Sequence, residues 1–181
     1  ALPLYKEAYQ LALKHELVDL EKASGIMLIK HLCGAGYYSE SLEYYNKIRV
    51  NQEIAFNSSV QNEVIKSYIE LNKSDSARLY LAERLLLEGG DKIFLKSMMA
   101  ETYIPEEQED SAFIFLDRAM ESYKEKKKYY QGKDREVVLP TYFLSTCYLF
   151  ADLLWKKGKV QQANQYYTFV EPLMKEVVRT P

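Results

Sequence analysis

The stretch Ile26–Ile48, IMLIKHLCGAGYYSESLEYYNKI, decides how the rest of the chain is read. Leu28, Ile29 and Leu32 recur at helical spacing, Gly34 and Gly36 interrupt them, and Ser41, Leu42, Tyr45 and Ile48 continue with a second stripe of the same period. The spacing predicts a helix, a tight turn and a helix. Ser41 stands on the apolar face of the second helix, nine residues after Leu32 and four before Tyr45. A small side chain at such a point lets two helix axes approach closely.

The arrangement recurs at Ala8 in LYKEAYQLA, Ala77 in DSARLYLAERL, Ala112 in DSAFIFLDRAM and Ala163 in VQQANQYYTFV, so that successive small residues lie 33, 36, 35 and 51 positions apart. Four residues after each comes Ala12, Tyr45, Leu81, Leu116 or Tyr167. Nine before stands Leu32, Tyr68, Tyr103 or Leu154, and twelve before Ile29, Ile65, Ala100 or Ala151. A two-helix frame repeats, and not merely a period.

That frame resembles the tetratricopeptide repeat, a helix-turn-helix unit of about 34 residues with Ala-x3-Phe on its second helix. The likeness covers nearly the whole chain, and the second-helix half is the better kept. No unit carries the family's Trp, its Gly position holds Ile or Ala, and the Pro that closes each unit is absent. The resemblance implies an all-α fold, a right-handed α-solenoid of about nine antiparallel helices whose units bury their apolar stripes on one another. The expected units are 1–17 (a lone second helix), 18–53, 54–90, 91–136 and 137–181, one repeat domain read as a segment of a longer protein.

Within the units, Asp75-Ser76-Ala77 and Asp110-Ser111-Ala112 read as helix starts, the acidic residue capping free amides in the field of the helix dipole. Gly89-Gly90 reads as a break. The long spacing before Ala163 is explained if the helix carrying Ala112 runs on to about Gln131, stops at Gly132, and gives way through a polar loop to a helix near Pro140. Pro172 either kinks the last helix or starts another.

Composition narrows the functions. With 24 Lys+Arg against 26 Asp+Glu the net charge is -2, which gives no pull toward nucleic acid or an anionic membrane. Seven Lys/Arg against four Asp/Glu between Arg118 and Glu136 form the one basic stretch, read as a solvated helix face. No apolar run approaches the roughly 18 residues of a membrane span, so a soluble segment is expected, of bacterial cytoplasm or periplasm by the resemblance.

Catalytic and metal chemistry find no constellation. His15 and His31 are the only histidines, and His31 and Cys33, two apart on a helix, do not share a face. Cys33 and Cys147 sit in apolar helical patterns and read as small buried hydrophobes. Gly34-Ala35-Gly36 lacks the third glycine and the strand of a dinucleotide loop. No enzyme, cofactor or metal is expected.

The tetratricopeptide frame, laid on each first helix, implies groove positions at Ile26, Lys30 and Cys33, at Asn62 and Lys66, at Ser97 and Glu101, and at Tyr148, Asp152 and Trp155. The equivalent residues Lys30, Lys66, Glu101 and Asp152 pass from basic to acidic, a polarity that would suit a peptide held in one direction. The Lys and Asn clamp with which co-chaperone members hold a C-terminal carboxylate is not reproduced. Tyr45, Tyr68, Tyr103 and Tyr167 fall on packing positions, while Tyr37, Tyr38, Tyr129, Tyr130, Tyr148 and Tyr166 are left as contact residues. The resemblance thus implies a module that binds a peptide or partner domain, as the sensing or assembly part of a bacterial signalling protein or transcription regulator, and able to self-associate through uncovered end repeats. The alternative is a helical protein that binds a small ligand or glycan on exposed tyrosines and Trp155.

Overall fold

A computed structural model describes residues 2–49, 58–86, 92–132 and 139–179, without the side chains of 58 and 176–179. The described residues form helices joined by turns, with no strand among them: α1 Leu2–Lys14, α2 Val18–Gly34, α3 Tyr38–Ile48, α4 Ser58–Glu70, α5 Ser74–Leu86, α6 Lys92–Glu101, α7 Glu109–Tyr130, α8 Thr141–Lys156 and α9 Val160–Arg179. The chain divides into two compact units, Ala1–Tyr80 and Leu81–Pro181, the division falling inside α5. In the first unit α1 packs on α2, α2 pairs with α3, and both meet α4. In the second, α6 pairs with α7 and α8 with α9, and the hairpins stack through α6 on α8. This is the helix-hairpin stacking of an all-α, tetratricopeptide-like repeat.

One corner is used in every hairpin. Gly36, Asn72, Glu107 and Gly158, each five residues before the small residue, have φ of 81°, 54°, 55° and 75°. That left-handed step lets the next amide reach back to the helix just ended: Tyr37 N–H donates to the Leu32 carbonyl, Lys73 to Tyr68, Gln108 to Tyr103 and Lys159 to Leu154, at 2.8–3.1 Å. The N–H groups of Ser41, Ala77, Ala112 and Ala163 then donate to the carbonyls of Tyr37, Lys73, Gln108 and Lys159, starting the second helix. The residue nine before the small one is therefore the carbonyl acceptor that closes each corner. Glu16, φ 54°, closes the α1–α2 corner in the same way, Leu17 N–H donating to Ala12.

The corner fixes register, and register places the small residues in the core. Ser41, Ala77, Ala112 and Ala163 are fully buried, as are Ile29, Ile65, Ala100 and Ala151 twelve residues earlier. Ser41 Oγ donates to the Ile29 carbonyl at 3.2 Å, so its hydroxyl is satisfied while the helices touch. Ala8 is only half-buried. A further close approach lies at Gly25, where a Cβ would stand 2.7 Å from Ile48 Cδ1. The first core gathers Tyr9, Leu28, Leu32, Tyr45 and Val64; the second gathers Phe143, Leu144, Phe150, Leu154 and Val170.

Several expectations are settled. The helix carrying Ala112 does run on, to Tyr130, and α8 begins just after Pro140. Pro172 lies inside an unbroken α9, where the carbonyl it leaves unpaired, Thr168, belongs to an exposed residue. The acidic capping of the DSA starts is corrected. Gln108 precedes α7 with no side-chain cap, and Asp110, like Asp75 in α5, lies in the first turn, where it serves the dipole but not the cap. The Gly89-Gly90 break, the polar loop after Gly132 and the expected boundaries at 53, 90 and 136 lie outside the described residues.

Two substitution sets check this frame in denaturant melts. Ala112→Leu or Ala163→Leu should lose about 1–3 kcal/mol by overpacking while Ala8→Leu is nearly neutral, and equal effects at all three would contradict the close approach. Glu107→Gly should raise stability, and Gly36→Ala should lower it by about 1 kcal/mol, because only the glycine carries no Cβ penalty in the left-handed region.

Candidate functional site

In the second unit a cleft of about 550 Å³ opens between α7 and α9, over α8. Its floor is the buried face of α8, Phe143, Cys147, Phe150 and Leu154. Phe113 of α7 leans toward Phe150 with centroids 6.5 Å apart, and Phe150 meets Tyr166 of α9 edge-on at 5.2 Å. Rings thus run from one wall across the floor to the other. Phe113 is 49% exposed and Phe169, on the α9 wall, 37% exposed. Apolar area on both walls is left facing solvent.

Charge closes one end of this cleft and lines one edge. Lys159, at the start of α9, pairs with Glu109 at the start of α7, and Lys157 stands 4.0 Å from the same carboxylate. Lys157 Nζ also donates to the Glu107 carbonyl at 2.6 Å. The α8–α9 corner is thereby tied to the α6–α7 corner. Along α7, exposed Asp110 and Asp117 flank Phe113, whereas α9 faces them with the uncharged Gln162 and Gln165.

The groove positions implied by the repeat frame are only partly on the surface. In the first unit Lys30 is exposed and Asn62 and Lys66 are half-buried, the Asn62 Oδ1 being buried with no hydrogen-bond partner among the described residues. Cys33 is corrected to a core residue, its thiol donating to the Glu63 carbonyl at 3.6 Å. In the second unit Ser97 is corrected likewise. It is fully buried and donates to the Ile93 carbonyl, one turn back, at 2.7 Å. Glu101 accepts the Tyr142 hydroxyl, Asp152 accepts the Tyr167 hydroxyl, and Tyr148 meets the Tyr167 ring at 5.1 Å. Trp155 is 52% exposed.

Among the leftover tyrosines Tyr37, Tyr129 and Tyr148 are exposed, but Tyr166 is not a free contact residue. It packs against the core, and burial, with Cys147 and Asp117 nearby, pushes its hydroxyl up to about 12. The phenylalanines of the cleft carried no sign of exposure in the sequence, since only the spacing of α7 and α9 uncovers them.

Reactive groups are quenched. Burial pushes the thiols of both Cys33 and Cys147 up to about 12, which keeps them protonated and poorly nucleophilic at neutral pH. His31 stacks on Tyr5 with centroids 4.5 Å apart. Among the described residues no three metal-ligating side chains come together, and no helix is long and apolar enough to cross a membrane.

No family model and no curated protein matches the chain. Among solved structures the chain is similar to a Podosopora anserina protein described as a kinesin light chain with nearly identical TPR-like repeats. The two are 16% identical, over 98% of this chain and 94% of that one, with a TM-score of 0.49. What makes this chain tetratricopeptide-like is its own repeated corner and small-residue frame.

The raised thiol and phenol groups set a pH limit. Cys33, Cys147, Tyr166 and Tyr167 all reach about 12 in the folded chain, Tyr167 mainly because its hydroxyl donates to Asp152. Unfolded, these groups ionise near 8.5 (Cys) and 10 (Tyr). Above those values the unfolded state holds fewer protons than the folded one, so stability falls with rising pH. It should be full below about pH 8 and decline toward pH 12, with both thiols silent to Ellman's reagent at pH 8 until denaturant is added. Stoichiometric labelling of the native protein would contradict the burial.

Proposed function

We propose that the chain is a non-catalytic protein-interaction module that holds a peptide or partner domain, and that the α7–α9 cleft is its principal docking surface. The observation that carries this reading is the row of rings from Phe113 through Phe150 to Tyr166, left open on the Phe113 and Phe169 sides. Covering such half-exposed aromatic faces would contribute on the order of 1–2 kcal/mol each, and aromatic anchors in pockets are where interface energy concentrates. Of the remaining first-helix positions, the first unit offers Lys30, Asn62 and Lys66 as a candidate surface of its own, and the second unit separately offers Glu101, Tyr148, Asp152 and Trp155. There the exposed Tyr148 and Trp155 are the contact side chains and the half-buried polar ones set direction. A role as the sensing or assembly part of a larger bacterial regulator rests on fold-level analogy with tyrosine-rich, degenerate tetratricopeptide arrays.

A second reading is favoured by one observation: the cleft's volume and aromatic lining also suit a small apolar ligand. A glycan platform is less well supported, since Trp155 stacks with no other ring among the described residues.

Selection of 15-residue peptides from a random display library, with hits titrated on the wild type, on Phe113→Ala/Phe169→Ala and on Tyr148→Ala/Trp155→Ala, tests the proposal. Hits should lose at least tenfold in affinity on the first double variant with the melting temperature unchanged. Enrichment of no sequence, or equal affinity for all three proteins, would overturn it.

A further inference from the structure

We infer that the α7–α9 cleft takes a cationic amphipathic helix from another protein, with large apolar side chains on one face and Lys or Arg at both ends of that face. The inference rests on the interaction-module reading and specifies the partner's chemistry.

The cleft's two edges carry helical periodicity. On α7, Asp110, Phe113 and Asp117 stand at i, i+3 and i+7, and the two carboxylates are about 10 Å apart along the axis at 1.5 Å per residue. On α9, Gln162, Tyr166 and Phe169 stand at i, i+4 and i+7. An incoming helix repeats at the same interval, so apolar residues on one face can enter between the walls while residues seven apart reach both aspartates. The walls are helices whose backbone groups bond internally and offer no strand edge, so an extended peptide would leave its own amides unpaired against the apolar floor.

The edge charge selects the sign. Three carboxylates line the cleft against one ammonium, Lys159, and that ammonium is already paired with Glu109. Asp110 and Asp117 make no ion pair among the described residues. Asp110 sits in the first turn of α7, where the dipole favours it. Asp117 lies mid-helix with no such reason, beside the apolar floor and close enough to Tyr166 to help hold that phenol protonated. A neutral or acidic partner covering the cleft would strip water from Asp117 and leave it unpaired, which is costly; a Lys or Arg placed there supplies the pair. The same charges disfavour an anionic lipid surface.

Three fluorescein-labelled 16-residue helical peptides test this. They share one Leu/Phe face and carry Lys, Gln or Glu at the two flanking positions, and they are titrated into the whole chain by anisotropy at 50 and 500 mM NaCl. The Lys peptide should bind at least tenfold tighter than the Glu peptide at 50 mM, and the gap should narrow at 500 mM as screening grows. Asp110→Asn/Asp117→Asn should remove the preference for Lys over Gln, weakening the Lys peptide while the Gln peptide, which no longer desolvates a carboxylate, binds at least as tightly as before. It should lower the melting temperature only by the small amount that losing one first-turn charge accounts for. Equal binding of the three peptides, or a Lys preference that survives the double variant, overturns the inference while binding that Phe113→Ala/Phe169→Ala abolishes keeps the interaction reading. If no peptide binds, the inference falls, and the display selection decides the broader reading separately. Sedimentation showing a concentration-dependent dimer that Phe113→Asp disperses would assign the cleft to a second copy of this chain and overturn it too.

Discussion

The structure depends on a steric allowance: paired helices meet where the second of them carries nothing larger than serine. Ser41 makes the constraint visible, because its hydroxyl reaches the Ile29 carbonyl at 3.2 Å across the helix pair. A larger side chain there would lie in the space of the neighbouring backbone. The corner five residues upstream is the other half of the device. Its left-handed residue and the amide that bonds back across it determine which residues of the first helix face which of the second. Once that register is set, the small residue has to fall where it does, the residue twelve before it becomes core, and the residue four after it is core or, at Tyr167, packs against it.

This explains why the frame could be read from sequence while its closure could not. Ser41, Ala77, Ala112 and Ala163 recur with apolar companions at fixed offsets, and burial is what such companions report. The corner is written in dihedral angles, and only Gly36 and Gly158 announce a positive φ; Asn72 is a weaker sign and Glu107 none. Gly25 went unread because a glycine within a helical pattern occurs once here, and only the approach of Ile48 gives it a purpose. Ser97 misled in the opposite sense. A hydroxyl that bonds the carbonyl one turn back needs no water, so a polar residue at a presumed groove position is equally at home in the core.

The candidate site was the least legible part. The first-helix positions came from a family frame, and the side chains there are partly consumed by the fold: Glu101 and Asp152 hold tyrosine hydroxyls, and Cys33 and Ser97 are interior. The α7–α9 cleft depends on how far two second helices stand apart over α8, which no local pattern encodes. Its components nevertheless follow from the same corners. Glu107 offers its carbonyl to Lys157, and Glu109, two residues on, takes Lys159. The contacts that lock two successive corners also hold one end of the cleft in place. Rigid helical walls around open aromatic rings are a preorganised surface, which lowers the ordering cost of binding.

The shared corner is tested most directly by native-state hydrogen exchange, followed amide by amide by NMR, at Tyr37, Lys73, Gln108 and Lys159. These residues are exposed, so their amides would exchange rapidly unless each is held by the carbonyl five residues before it. All four should exchange as slowly as the helical amides around them; exchange at the rate of an unfolded chain, at any one of the four, would contradict the shared corner.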